Sequence, residues 1–181
     1  MIHPEVKIKK ILYATDLSEG GRQAFAYAIS LANTYNAAIK ILHVLPGTVG
    51  SDVARHIVGY IGEENWQKIK KSHYDNARSV LISKQQERSV IKEALRQFSE
   101  SFKDEGGSQY ATTDEIIIEE SQNPVEVILK QADQKNCDLI VMGTRGLGII
   151  AEALVGSTTR GVIRHSKKPV LVIPIQQSLL N

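Results

Sequence analysis

A chain of 181 residues, 42% of them apolar, is long enough to bury one ordinary core. Its 22 Lys and Arg stand against 20 Asp and Glu, a near balance that argues against a nucleic-acid partner. The single cysteine, Cys137, excludes an internal disulfide, and no apolar run is long enough to cross a bilayer, so a cytoplasmic protein without a membrane role is expected.

Taken in order, Ile8 to Ala14 reads as a strand buried on both faces. Thr15 and Asp16 follow at its carboxyl end, where open α/β sheets bind ligands. Asp16 and Ser18 are both of the type that caps a following helix; binding is favoured for Asp16 and capping for Ser18. From Gly20 to Tyr35, Ala24, Phe25, Ala28, Leu31 and Ala32 recur at helical spacing. Ala38 to Leu45 is a second strand, closed by Pro46-Gly47. His43 lies in it without a second His, Cys or carboxylate at metal spacing, and reads as a core or sheet-surface residue.

The stretch from Gly47 to Ser108 says least. Gly50-Ser51-Asp52 could start a helix, with Gly59 and Gly62 expected to interrupt it. Trp66, Ile69, His73, Ala77, Val80 and Leu81 mark one amphipathic stripe, and Ile91, Ala94, Leu95, Phe98 and Phe102 a clearer one. One helix is needed here to return the chain, yet the residues suffice for two or three. After the flexible Gly106-Gly107-Ser108, Thr113 to Glu119 gives a third strand. Asn123-Pro124-Val125-Glu126 then supplies an N-cap, a proline at the first helical position and an acid three after the cap. Val125, Ile128, Leu129 and Ala132 continue that helix.

A fourth buried strand, Asp138-Leu139-Ile140-Val141-Met142, runs into Gly143-Thr144-Arg145-Gly146. Nine residues later come Gly156-Ser157-Thr158, a helix to about His165, a Lys167-Lys168-Pro169 break and a last apolar strand, Val170 to Ile173. The first two glycines suit a sharp turn and close approach of the backbone to a ligand. Gly156, Ser157 and Thr158 open a helix whose first amides lack intrahelical partners, which makes a phosphate site. A Walker A loop would require Gly-Lys-Ser/Thr, which is absent. Gly146-Leu147-Gly148-Ile149-Ile150-Ala151 fits the loose dinucleotide pattern, but about 20 residues later, where that pattern needs an acid, stands Val170-Leu171-Val172. Arg145, Arg160, Arg164, Lys167 and Lys168 give this region a positive balance that suits either a polyphosphate or the negative end of a helix; a binding role is favoured for Arg145. The order βαβαβαβαβ predicts an open parallel sheet with helices on both faces.

Gly143-x2-Gly146-x9-Gly156-Ser157, with Pro169-Val-Leu-Val-Ile-Pro174 after it, resembles the nucleotide-binding signature of the universal stress protein family in its ATP-binding form. Lys9 to Glu19 and Ile41-Leu42-His43-Val44 resemble that family's first two strands. The resemblance covers roughly residues 6–46 and 112–175. It implies one Rossmann-like domain over residues 1–181, similar to the adenine nucleotide alpha hydrolases, with strand order 3-2-1-4-5 and a variable helical insertion at about 47–108. That insertion could be a lid, a dimer surface or a longer helix. The resemblance also implies that Asp16 contacts the nucleoside, that Thr15 and Met142 line its pocket, and that the Val44 backbone holds adenine. Gly143, Arg145, Gly146, Gly156, Ser157 and Thr158 would hold the phosphates of ATP, with Mg2+ bridging phosphate oxygens and AMP or ADP as alternatives. A homodimer through the exposed edge Val170–Ile173 is implied as well, the alternative being that Gln176 to Asn181 fold back over that edge. The expected activity is that of a non-catalytic, nucleotide-dependent regulator of a stress response, read by another protein. Alternatives are a slow ATPase or phosphotransferase in the same pocket, a dimeric adaptor with an empty pocket, or a flavin-binding relative.

Overall fold

The computed structural model describes residues 6–45, 53–74, 84–104, 113–144 and 155–174. The elements are β1 Lys10–Thr15, α1 Glu19–Tyr35, β2 Ala38–Leu45, α2 Val53–Ile61, α3 Glu63–Tyr74, α4 Lys84–Asp104, β3 Thr113–Glu120, α5 Pro124–Gln134, β4 Leu139–Gly143, α6 Ser157–His165 and β5 Val170–Ile173. The strands form one five-stranded sheet in the order β3-β2-β1-β4-β5, every pairing parallel, as expected. In register, Ile11 lies beside Ile39 on one side and Leu139 on the other, so β1 is central and its Ile11, Leu12 and Tyr13 are wholly buried. β1 begins two residues later than the apolar pattern suggested and runs one further, to Thr15.

Because side chains alternate across a strand, the sheet supports two cores. On one face Ile11, Tyr13, Ile39, Ile41 and Val141 pack under α1 with α2, α3 and α4. On the other, Leu12, Ala14, Leu42, Ile140 and Met142 pack with Ile128, Ala132 and Val162 from α5 and α6. The first face is the aromatic one. Phe25 meets Tyr13, Phe98 and Phe102 at centroid distances of 4.9–5.3 Å, and Tyr60 lies 4.1 Å from Phe98. Ring pairs of this kind add about 0.5–1.5 kcal/mol each beyond their buried area.

Among the described residues the long middle stretch holds three helices, all on the α1 face. α2 runs straight through Gly59, contrary to the expected interruption, and breaks only at Gly62, whose φ of +84° suits glycine alone. At Gly59 a helical residue is merely less favourable than alanine, a small cost that packing of Ile57 and Tyr60 overrides. Trp66 and Ile69 of the first stripe are buried on α3, and Ile91, Ala94, Leu95 and Phe98 of the second are buried on α4. Gly50-Ser51-Asp52, Ala77, Val80 and Leu81 lie outside the described residues.

Helix ends follow local chemistry. Ser18 caps α1 by accepting the Gly21 amide at 3.1 Å, and Asn123 caps α5 by accepting the Glu126 amide at 3.3 Å, with Pro124 first in the helix. Asn36 and Asn136, both at φ 52°, end α1 and α5 in the left-handed conformation. The next amides, of Ala37 and Cys137, return to Ala32 and Ala132 carbonyls at 2.8 and 2.9 Å, so the two helices feed β2 and β4 through the same closure. Cys137 is fully buried, and burial pushes its thiol up from its ordinary value.

Candidate functional site

Strands β1 and β4 are neighbours whose following helices leave the sheet on opposite faces, α1 on one and α6 on the other. A crevice opens beyond their carboxyl ends by this geometry alone. It contains a cavity of about 270 Å3, near the lower end for small-molecule sites.

Its first wall is the turn from β1 to α1. Thr15 and Asp16 line the cavity, and Leu17 between them and the helix is held at φ 64°, a conformation that costs a bulky residue about 1–3 kcal/mol. Three contacts hold it there: Thr15 Oγ1 accepts the Leu17 amide at 3.1 Å, Asp16 Oδ1 accepts the Ser18 amide at 3.1 Å, and His43 Nδ1 donates to the Thr15 carbonyl at 2.8 Å. A carbonyl only accepts, so Nδ1 is the protonated nitrogen of His43. This buried histidine is a sheet residue, as expected, and it also braces the site.

The second wall is the junction of β4 with α6. The Gly156 amide donates to the Thr144 carbonyl at 2.7 Å, the Thr144 amide to Ile173 at 2.9 Å, and Thr159 Oγ1 to the Gly143 carbonyl at 2.9 Å. These bonds seat the start of α6 on the end of β4. Gly156 caps α6 with no side-chain bond to the first turn, so the helix presents its positive end, with Ser157 and Thr158, at the cavity.

At Gly143 a Cβ would lie 2.9 Å from the backbone of Gly20, so the missing side chain admits the start of α1 against the end of β4. The neighbouring Gly21 is under similar constraint, since its Cβ would stand 2.7 Å from Thr15 Oγ1. Gly161 lets α6 approach Val125 of α5, where a Cβ would come within 2.7 Å.

Of the ten residues expected at the site, Thr15, Asp16, Val44, Met142, Gly143, Gly156, Ser157 and Thr158 line this one cavity; Arg145 and Gly146 lie outside the described residues. An apolar patch from Ala14, Leu42, Val44 and Met142 occupies the sheet side, and Pro124 and Ile128 of α5 complete it. The α5 residues were legible as helix-formers but not as pocket wall, although their helix also starts at the carboxyl end of a strand. Arg160, one of the cations read as suiting either a polyphosphate or the negative end of a helix, donates to the Val155 carbonyl at 3.1 Å. Among the described lining residues Asp16 is the only acid or base.

The family model for the universal stress protein family matches residues 7–174. Universal stress protein MJ0577 of Methanocaldococcus jannaschii is 29% identical over 180 residues, covering 96% of this chain and 99% of that one. Its solved structure superposes with a TM-score of 0.60 at 27% identity, over 96% of this chain and 100% of the other. A universal stress protein solved in complex with cAMP shares the fold at a TM-score of 0.60 and 23% identity, over 93% and 99% of the two chains. With a family match spanning nearly its whole length and the same sheet order observed, this chain belongs to the universal stress protein family.

Proposed function

We propose that this chain is an ATP-binding member of the family, in which nucleotide occupancy regulates a surface read by another protein during a stress response. The carrying observation is convergence: residues from three distant stretches, around Asp16, Val44 and Gly143–Thr158, line one cavity at the β1/β4 crevice. The apolar patch suits the flat face of adenine, and Asp16 offers a carboxylate acceptor to ribose hydroxyls. At the opposite side the start of α6 offers amides and the Ser157 and Thr158 hydroxyls to phosphates, beside Gly143; the reading adds the amides of Arg145 and Gly146, which lie outside the described residues. The cAMP complex of the fold neighbour is consistent with an adenine nucleotide here. AMP and ADP fill the same adenosine half.

Among the described residues no three His, Cys, Asp or Glu side chains gather, so Mg2+ would be carried on the phosphates rather than in a protein cage. The ion would neutralise phosphate charge, and Ser157 and Thr158, which line the cavity, would offer it hard oxygens. Hydrolysis would need a group to orient water, and the described wall provides Asp16 alone, already bonded to the Ser18 amide. Binding without turnover is therefore the reading, and labelled ATP should remain intact on incubation.

The proposal includes a homodimer through β5 and one domain over residues 1–181 whose stretch at about 47–108 is an inserted helical segment. β5 lies at the end of the sheet with Val170, Leu171 and Val172 half-buried. Gly161 turns one side of α6 towards α5, which leaves Ile163, 51% exposed, on the side away from it. Apolar surface beside a strand that is the sheet's edge among the described residues suits a second copy. The reading places the protein in the cytoplasm, and among the described residues no helix is long and apolar enough to cross a membrane. Denaturing protein purified from cells and separating the released small molecules tests the function. Adenine nucleotide at up to one per chain is expected; a flavin spectrum, or no capture of added ATP, would overturn it.

A further inference from the structure

Two phenols meet in the core where none is needed for packing. Tyr13 of β1 and Tyr60 of α2 are 0% and 1% exposed, and their oxygens lie 2.8 Å apart. Tyr13 Oη also donates to the Gly21 carbonyl at 2.6 Å. A phenol has one proton, and burial pushes both groups far above their ordinary range, so both keep it. With the Tyr13 proton engaged on Gly21, Tyr60 is the donor to Tyr13. The line has a fixed direction: Tyr60 to Tyr13 to the first turn of α1.

That turn is part of the cavity. Gly21 lines it, and a Cβ on Gly21 would meet Thr15 Oγ1, Tyr13 Oη and Asp16 Oδ1 at 2.7, 3.5 and 3.6 Å. Thr15 Oγ1 in turn holds the Leu17 amide in the strained left-handed turn. Phenylalanine at both positions would keep the rings against Phe25 and Phe98 and spare the desolvation of two hydroxyls. What the hydroxyls add is a bonded connection from α2 to the turn that carries Asp16.

We infer that Tyr60 is a positioning residue for the cavity, and that through the Tyr60–Tyr13–Gly21 line helix α2 and ligand binding are coupled. The inference rests on the nucleotide reading above. By reciprocity, a ligand that fixes the Asp16 turn stabilises α2, and a partner gripping α2 alters the affinity of the cavity. The long middle stretch thus acquires a role as the element that senses occupancy from the opposite face of the sheet.

The test uses the full chain, ATP with Mg2+, calorimetric titration and amide hydrogen exchange over Val53–Ile61. ATP should slow exchange across α2 in the unaltered protein. Tyr60→Phe should weaken ATP about three- to tenfold, the loss of one hydrogen bond, and abolish the ATP-dependent slowing in α2. Tyr13→Phe breaks the same line from β1 and should do likewise; the double variant should lose no more than the worse single. If one single variant does not fold, the other carries the test. A lower melting temperature with unchanged ATP affinity and unchanged α2 slowing would mean a purely structural pair and overturn the inference alone. Failure of the unaltered protein to bind ATP would overturn the proposed function, and this inference with it.

Discussion

The two ends of this sheet solve the same problem in opposite ways. At the amino end, polar groups are satisfied within the chain. Asp138 Oδ2 accepts the amides of both Lys9 and Lys10 at 2.8 and 3.0 Å, tying the entry of β4 to that of β1. Glu115 takes Lys135 at 2.6 Å and Lys40 at 3.1 Å, and Asn36 and Asn136 close the incoming helices. At the carboxyl end, equivalent polar groups on β1, β4 and α6 surround a cavity. A parallel sheet gathers strand ends and helix starts on one edge, so ligand chemistry belongs there and closure belongs opposite. Substitutions at the amino end should therefore cost stability and spare ATP affinity, and those at Asp16 should cost ATP affinity foremost.

The largest effect is expected where the carboxyl end is also packed. Gly143→Val puts side-chain atoms into the Gly20 backbone and should destabilise by about 1–3 kcal/mol or more, with loss of ATP binding, read from denaturant melts and titration. It marks a place where the two roles cannot be separated. Next comes Asp16→Ala, which should weaken ATP by about ten- to a hundredfold, as loss of a charged hydrogen bond does, and should lower the melting temperature less than Asp138→Ala, because it strips the acceptor from one backbone amide, that of Ser18, and not two. Asp138→Ala should cost about 1–2 kcal/mol of stability by stripping the acceptor from two strand amides, with ATP affinity unmoved. Loss of ATP affinity in that variant would break the contrast between the ends.

The smallest effect is a pH dependence at the amino end. The hydrogen bond from Lys135, and after it that from Lys40, holds the Glu115 carboxyl below its ordinary value of 4.5. A lowered folded value contributes stability that is complete above the unfolded value and is lost as pH falls through the folded one. Stability should thus drop below about pH 4.5 with a component that Glu115→Gln removes, while being flat in this component at neutral pH. Because Glu115 is over a third exposed, that component is small.

Much of this contrast was legible in the sequence. Strand runs, the Asn123-Pro124 helix start and the glycine spacing are local signals, and the strand order followed from the family resemblance. Eight residues expected at the site meet in one cavity because the switch point lies between β1 and β4. What escaped depends on contacts between distant residues. Gly143 carries no mark of its approach to Gly20, nor Leu17 of its left-handed turn, which Thr15, Asp16 and His43 impose together. Tyr13 lies inside an apolar strand run and nothing local singles out Tyr60; only the packing of α2 on the α1 face makes them partners. Gly59 misled because a local helix penalty was weighed without the burial that outweighs it.

The most direct test is titration with ATP and Mg2+ followed residue by residue through the backbone amide resonances. Shifts should concentrate at Thr15, Asp16, Val44, Gly143 and Gly156–Thr158, with smaller ones in α2, and leave Lys9, Lys10, Glu115 and Asp138 in place. No shifts at saturating nucleotide, or shifts centred on the amino end or on the groove between α4 and β3 around Arg96 and Thr113, would contradict it.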